Sequence, residues 1–328
     1  MTRYRSFGAQ ARHYLDRPHE GIPTSPVDSP AAWRGADLRA RQEDWLERLS
    51  AEEIAELEAA TDASSDLPLE EIDRGSFPLP TLAPRIQRWS DTLAGGRGFV
   101  VVRGLPVERW GPDRSARAYW GLGHHLGMPG AQNPANELLG HVVDYGEESS
   151  DPLVRRYRTA GNIDFHCDAA DVVGLLCLQS AEVGGQSRIA SSVAIFNELV
   201  TRDPLLARRL FEPMALDARG EERPGARAWT PVTPACFSTS RGLSTFWHSE
   251  YFRSAERHPD VDYDAEARAL LDRYDALCAD PDLHLDMWLE PGDLQFISNH
   301  TTVHARTAYE DTPERRRHLL RLWLSLES

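Results

Sequence analysis

The chain has 328 residues, 41% hydrophobic and 27% charged, an ordinary globular composition that excludes a disordered or collagen-like chain. Asp and Glu number 51 against 36 basic residues, and the resulting net charge of −15 disfavours nucleic acid as the main partner, because such a chain repels phosphate backbones. Every basic residue is Arg. That removes a Walker-type lysine, a Schiff-base lysine and a lysine general base together.

Residues 1–35 are polar and rich in Gly and Pro, which predicts an arm or frayed end. They carry no apolar signal-peptide core, and the longest apolar run, Val172 to Leu178, is too short to span a bilayer. Leu38 to Leu49 has helical spacing. Ser50-Ala-Glu-Glu53 is a capping box that opens a second helix to about Ala60. Breakers crowd residues 61–84. We therefore expect an N-terminal arm and helical extension over 1–84 and the main domain over 85–328.

A helix from Arg85 to Leu93 leads through Gly95-Gly-Arg-Gly98 into the strand Phe99-Val-Val-Val102, and another spans Asp113 to Leu126. Further strands are predicted at 139–144, 172–179, 186–191, 231–237, 243–247, 283–289, 294–298, 301–305 and 317–326. Helices interrupt them at 192–201, 204–210 and 264–279, and residues 146–159 read as a mobile surface loop. The fold class is α+β with a mainly-β core, a sandwich or barrel flanked by helices. Cys167, Cys177, Cys236 and Cys278 form no Cys-x-x-Cys pair, which fits a reducing compartment, so a soluble cytoplasmic protein is expected.

The informative pattern is histidine followed two residues later by a carboxylate. On a strand, residues i and i+2 share a face, so such a pair can hold one metal ion. A second histidine from another strand completes the two-histidine, one-carboxylate set of mononuclear non-heme iron. Three His-x-Asp matches occur, at His166–Asp168, His258–Asp260 and His284–Asp286, besides His248–Glu250. His258 precedes Pro259 in a polar stretch that reads as surface loop. His284–Asp286 and His248–Glu250 lack an obvious third ligand. The pair His124-His125 lies on a predicted helix and reads as surface.

His166–Asp168 has a different context. A buried-strand run follows it, then Gly184-Gly-Gln-Ser187, then far downstream Asn299-His-Thr-Thr-Val-His304-Ala-Arg306 and Arg315-Arg-Arg-His-Leu-Leu-Arg321. Alternation on the last strand places Arg317, Leu319, Arg321 and Trp323 on one face. Two arginines on an otherwise apolar face point to an anion, and Arg317 offers a permanently charged fork suited to the far end of a dicarboxylate. Cys167, between two residues of one face, must point the other way. His300 reads as a supporting residue near the site rather than a ligand.

From about Gly98 to Leu324 these ordered motifs resemble the TauD/TfdA family of iron(II)- and 2-oxoglutarate-dependent dioxygenases. The resemblance implies a double-stranded β-helix, or jelly roll. It implies Fe(II) bound by His166, Asp168 and His304, with 2-oxoglutarate and O2 as co-substrates. By the same resemblance Ser187 and Arg317 hold 2-oxoglutarate, and Arg321 and Asn162 contact the substrate, a small organic molecule that in this reading carries an anionic group. The expected reaction is oxidation, mainly hydroxylation, of an unactivated C–H bond with release of succinate and CO2. Halogenation is disfavoured because Asp168 is intact. A zinc-dependent jelly-roll hydrolase or isomerase and a catalytically dead binding protein stand as alternatives. No nucleic-acid or membrane partner is expected, and self-association is left open.

Overall fold

The computed structural model of the chain describes residues 4–147, 153–222 and 225–326. Eleven strands matter for the site: β1 (Leu46–Arg48), β2 (Phe99–Arg103), β3 (Met128–Gly130), β4 (Gly140–Val142), β5 (Ile163–His166), β6 (Val172–Gln179), β7 (Ser187–Ser191), β8 (His284–Met287), β9 (Leu294–Ser298), β10 (Thr302–Arg306) and β11 (His318–Ser325). They form two sheets. The larger runs β1-β2-β9-β6-β11-β3, with β4 also paired to β11, and the smaller runs β8-β7-β10-β5.

The two-residue period of the strands builds the layers. On β2, Val100 and Val102 face one apolar cluster while Phe99 and Val101 face another. On β11, Leu320, Leu322 and Leu324 join the first cluster, and Leu319 and Trp323 the second. The second cluster lies between the sheets, where Ile189, Leu285 and Met287 of the smaller sheet meet it. Helices α2 (Ala51–Ala63), α3 (Ala83–Gly95) and α4 (Val107–Leu126) cover the outer face of the large sheet. Helices α5 (Ser192–Arg202), α6 (Ser249–Ser254) and α7 (Ala265–Cys278) cover the outer face of the small one. This is the jelly roll flanked by helices that the motifs implied.

Several local expectations hold and several do not. The capping box is present, with the Glu53 N–H donating to Ser50 Oγ at 3.2 Å and the Ser50 N–H to Glu53 Oε2 at 2.8 Å. The helix expected over 38–49 is instead a short turn of helix and the strand β1, whose Leu46, Glu47 and Arg48 pair in parallel with Val101, Val102 and Arg103. Pairing with a buried strand outweighs the local helical spacing there. From residue 4 onward the N-terminal segment is not frayed. Helix α1 (Phe7–Leu15) buries Gln10 and Tyr14, and the Tyr14 hydroxyl donates to the carbonyls of Thr245 (3.0 Å) and Asn299 (2.9 Å). Nor is His124-His125 a surface pair: His124 is 7% exposed, and His125 Nε2 lies 2.7 Å from the Phe77 carbonyl. Part of the expected 146–159 loop, residues 148–152, lies outside the described residues.

Candidate active site

His304 stands in the middle of β10, where regular pairing sets it opposite Ile189 of β7. On its other side it is opposite His166, the last residue of β5. The register slips between this pair and the next, Arg306 with Ile163, so β5 carries one extra residue there. Such a bulge bends the strand and re-aims its side chains. Asp168 lies beyond the end of β5. The expectation that it shares a strand face with His166 is therefore corrected. A side-chain clamp holds it instead: the Asp168 N–H donates to Asn299 Oδ1 (3.0 Å), and Asn299 Nδ2 donates to the Ala170 carbonyl (2.8 Å).

One potential ligand atom each from His166, Asp168 and His304 lies within 4.8 Å of the others. The His166 Nδ1 is 2.9 Å from the Asp164 carbonyl, which can only accept, so the ring proton is on Nδ1 and the Nε2 lone pair is free. His304 is largely shielded from solvent, and that desolvation first, then the neighbouring His166, pushes its pKa down to about 3. Burial alone would raise the pKa of Asp168. The Arg321 guanidinium 3.6 Å away and the two imidazoles outweigh it and hold the pKa below its usual value. Asp168 Oδ2 and His304 Nδ1 are sealed from solvent without a hydrogen-bond partner. Two neutral nitrogens and a carboxylate oxygen so arranged fit a divalent cation.

Cys167 points away from this set. It is 1% exposed within the cluster beneath the small sheet, and its Sγ is 3.8 Å from the Thr302 carbonyl. The other His-x-acid pairs fall elsewhere. Leu285 and Met287 face the space between the sheets, so His284 and Asp286 face the opposite side, where Asp286 pairs with Arg188 at 2.8 Å. His258 is not a loose surface residue; its Nε2 lies 3.0 Å from Asp217 Oδ1. His300 bonds Asp171 (2.9 Å) and Ser244 (2.8 Å). His248 is nearer than its spacing suggested. Its ring centroid is 5.0 Å from that of His166, and burial is the main cause that keeps its pKa well below the ordinary value.

Between the sheets a cavity is lined by His166, His304, Ser187, Arg306, Arg317 and Arg321. Ser187 opens β7 opposite Arg306, and its hydroxyl donates to Gln295 Oε1 at 3.2 Å. Arg317 is 5% exposed, and its side chain passes over Gly185. There φ is +74° and an added Cβ would sit 3.0 Å from Arg317 Nε, which accounts for glycine in the Gly184-Gly185 motif. Arg317 Nη1 is buried without a partner. Arg321 donates to Gln132 Oε1 at 2.6 Å and stacks over Tyr157.

A second cavity shares His166, Tyr157 and Arg321 and adds Asp168, Arg155, Arg156, His248, Glu250 and Tyr251. A wider one of about 780 Å³ reaches Asp168 from the side of α1, past Phe7, Leu15, Phe246 and Trp323. Asn162 lines none of these. It is exposed, and its amide donates to Asp164 Oδ1 at 2.7 Å. The sequence motif contained Asn299 without a role for it, and His248 was set aside with Glu250 for want of a third ligand. The Asn-x-x-x-x-His spacing carried the first; the His-x-Glu spacing marked the second but not its contact with His166, which is made across the fold.

The chain matches the family model "Taurine catabolism dioxygenase TauD, TfdA family" over residues 64–323. It belongs to this family. It is 30% identical to the FR-33289 synthase of Streptomyces rubellomurinus over 321 residues, which cover 94% of this chain and 92% of that protein. It is also 30% identical over 240 residues to the uridine-5'-phosphate dioxygenase of an Amycolatopsis species, covering 68% and 83% of the two chains. Asparagine oxygenase, solved with Fe(II), 3-hydroxyasparagine and succinate, shares the fold with a TM-score of 0.69 at 18% identity, covering 86% of this chain and 93% of that one. The protein is an Fe(II)- and 2-oxoglutarate-dependent dioxygenase acting on a small molecule, with O2 as the second co-substrate. No helix among the described residues is long and apolar enough to cross a membrane.

Proposed function

We propose that His166, Asp168 and His304 hold the Fe(II), that Ser187 and Arg317 hold the far carboxylate of 2-oxoglutarate, and that the enzyme hydroxylates a C–H bond of a small molecule bearing an anionic group. The observation that carries this reading is that both histidines of the triad and the buried, partly unpartnered Arg317 line one cavity. With 2-oxoglutarate and O2, bound Fe(II) supplies an oxidant able to break an unactivated C–H bond, with release of succinate and CO2.

The protein's part is placement and dryness. Asp164 fixes the His166 tautomer, Asn299 fixes the loop that carries Asp168, and β10 fixes His304. Val173, Leu175 and Leu319 line the remainder of the co-substrate cavity and limit water there. Arg321 borders both the co-substrate cavity and the second one, so a group bound outside the triad meets its charge. The uridine-5'-phosphate named for one relative is an anion of the kind that this placement would suit. Asn162, exposed and turned to Asp164, has less support as a substrate contact than Arg321. Four free, buried cysteines are in keeping with a cytoplasmic location.

The test is succinate release under air from a panel of carboxylates, sulfonates, phosphonates and phosphate esters, read against the rate without substrate. Anionic compounds should raise the rate and gain one oxygen atom by mass. Stimulation confined to cationic or neutral compounds would exclude the anionic-substrate reading, and turnover without 2-oxoglutarate would exclude the assignment of Arg317.

A further inference from the structure

Two buried arginines, not one, face the far end of the co-substrate cavity. His304 and Arg306 are i and i+2 on β10, so the strand that presents the metal ligand presents Arg306 on the same face, opposite Ser187. Arg306 is 5% exposed, and its Nε and Nη1 have no partner. Its Nη2 donates to the carbonyls of Thr159 (2.9 Å) and Gly161. Arg317 arrives from the other sheet, also with an unpartnered Nη1. The two guanidiniums stack on one ring, that of Tyr309, at 4.7 Å and 5.2 Å, and the Tyr309 hydroxyl is buried without a partner as well. No ion pair joins either arginine to a carboxylate among the described residues.

Burying two like charges side by side, with donors left over, is unfavourable unless an anion sits between them. The other buried arginines among the described residues each meet a carboxylate: Arg219 lies 3.3 Å from Glu250 and Arg321 lies 3.6 Å from Asp168. We infer that Arg306 is a second cation for the far carboxylate of 2-oxoglutarate, with the Tyr309 hydroxyl as an added donor, so that this group is gripped from both sheets. The inference rests on the reading of Arg317 above. It also gives Arg306 two tasks, because its remaining nitrogen holds the 159–161 segment that leads back to Arg155, Arg156 and Tyr157.

The experiment must separate anion binding from a merely structural tether. Fe(II)-loaded protein is titrated without oxygen, following the visible charge-transfer absorption, with 2-oxoglutarate and with 2-oxovalerate, which keeps the metal-chelating end and lacks the far carboxylate. Arg306→Gln should raise the Kd for 2-oxoglutarate about 10- to 100-fold, the loss of charged hydrogen bonds, and leave that for 2-oxovalerate within about threefold. Arg306→Lys, which keeps the charge, should recover part of the difference. Equal weakening of both ligands in Arg306→Gln, or no change in either, overturns the proposal. If the variant does not fold, the 2-oxoglutarate preference of Arg306→Lys decides, and a wild-type preference overturns it. Arg317→Leu is the control: if it too fails to discriminate, the assignment of Arg317 is what fails.

Discussion

The two sides of the metal triad are built on opposite principles. Toward the co-substrate cavity, buried polar atoms lack internal partners: His304 Nδ1, Arg306 Nε and Nη1, Arg317 Nη1 and the hydroxyl of Tyr309, on whose ring both arginines stack. Most of their residues are mounted on or beside the strands of two packed sheets. Toward the second cavity, Asp168 Oδ2 and His248 Nδ1 lack partners, but the lining arginines are paired with acids. Arg155 pairs with Glu221 at 2.5 Å and Arg156 with Glu250 at 2.7 Å, from loops and the short helix α6. Unpartnered groups on a rigid frame are ready for one fixed occupant. Paired groups on loops must exchange partners to bind, so the same architecture accepts different substrates by changing a few loop residues. This is why the reaction class can be read from the chain and the substrate cannot.

The largest expected effects break the rigid side. His166→Ala, Asp168→Ala and His304→Ala should each reduce Fe(II)-dependent turnover to background while leaving the far-ultraviolet circular dichroism spectrum unchanged. His300→Ala should keep turnover, because its partners are Asp171 and Ser244. Loss in His300→Ala with retention in His304→Ala would reverse the assignment of the second histidine.

A second test sets the sides against each other. Arg317→Leu should raise the 2-oxoglutarate Kd about 10- to 100-fold, while Arg321→Leu should mainly raise the KM of the primary substrate. Arg321 lies 3.6 Å from Asp168 and borders both cavities. If Arg321→Leu weakens 2-oxoglutarate as badly as Arg317→Leu, Arg321 belongs to the co-substrate side and its support for an anionic substrate disappears.

Much of the rigid side was legible because it follows strand period. Alternation alone separated Leu319, Arg321 and Trp323 from Leu320, Leu322 and Leu324. The same period sets His304 and Arg306 on one face. What escaped depends on contacts between distant parts of the chain. Asp168 is placed by Asn299, 131 residues away, not by strand geometry. Helix α1 is docked by Tyr14 through carbonyls 231 and 285 residues away, so a polar, Gly- and Pro-rich stretch read as frayed. The His248–His166 contact is likewise tertiary.

A pH series sharpens the difference in polar satisfaction. His304, with its pKa near 3, and His248, held well below 6.5 mainly by burial, stay neutral in the fold and take up protons when it unfolds. Metal-free stability should therefore be fully present above about pH 6.5 and fall as the pH drops toward 3, by about 1.4 kcal/mol per pH unit from His304, with His248 adding a loss in the same direction. Chemical denaturation at several pH values measures it. A flat profile between pH 6.5 and 4 would show that these rings are not held neutral.

The smallest effect concerns Cys167, which faces packing rather than the triad. Cys167→Ser should leave metal content and turnover intact at a stability cost of about 1–3 kcal/mol, since the shorter serine side chain leaves its buried hydroxyl beyond hydrogen-bond reach of the Thr302 carbonyl, which lies 3.8 Å from the sulfur. Loss of bound iron in a folded Cys167→Ser protein would contradict that orientation.

The most direct measurement is an anaerobic titration of the wild-type protein with Fe(II) and 2-oxoglutarate, monitored by visible absorption. A charge-transfer band is expected that needs both components, saturates at one equivalent of each, and decays with succinate formation when air is admitted. A folded protein that binds Fe(II) yet gives no band with 2-oxoglutarate, or that forms no succinate on aeration, would contradict it.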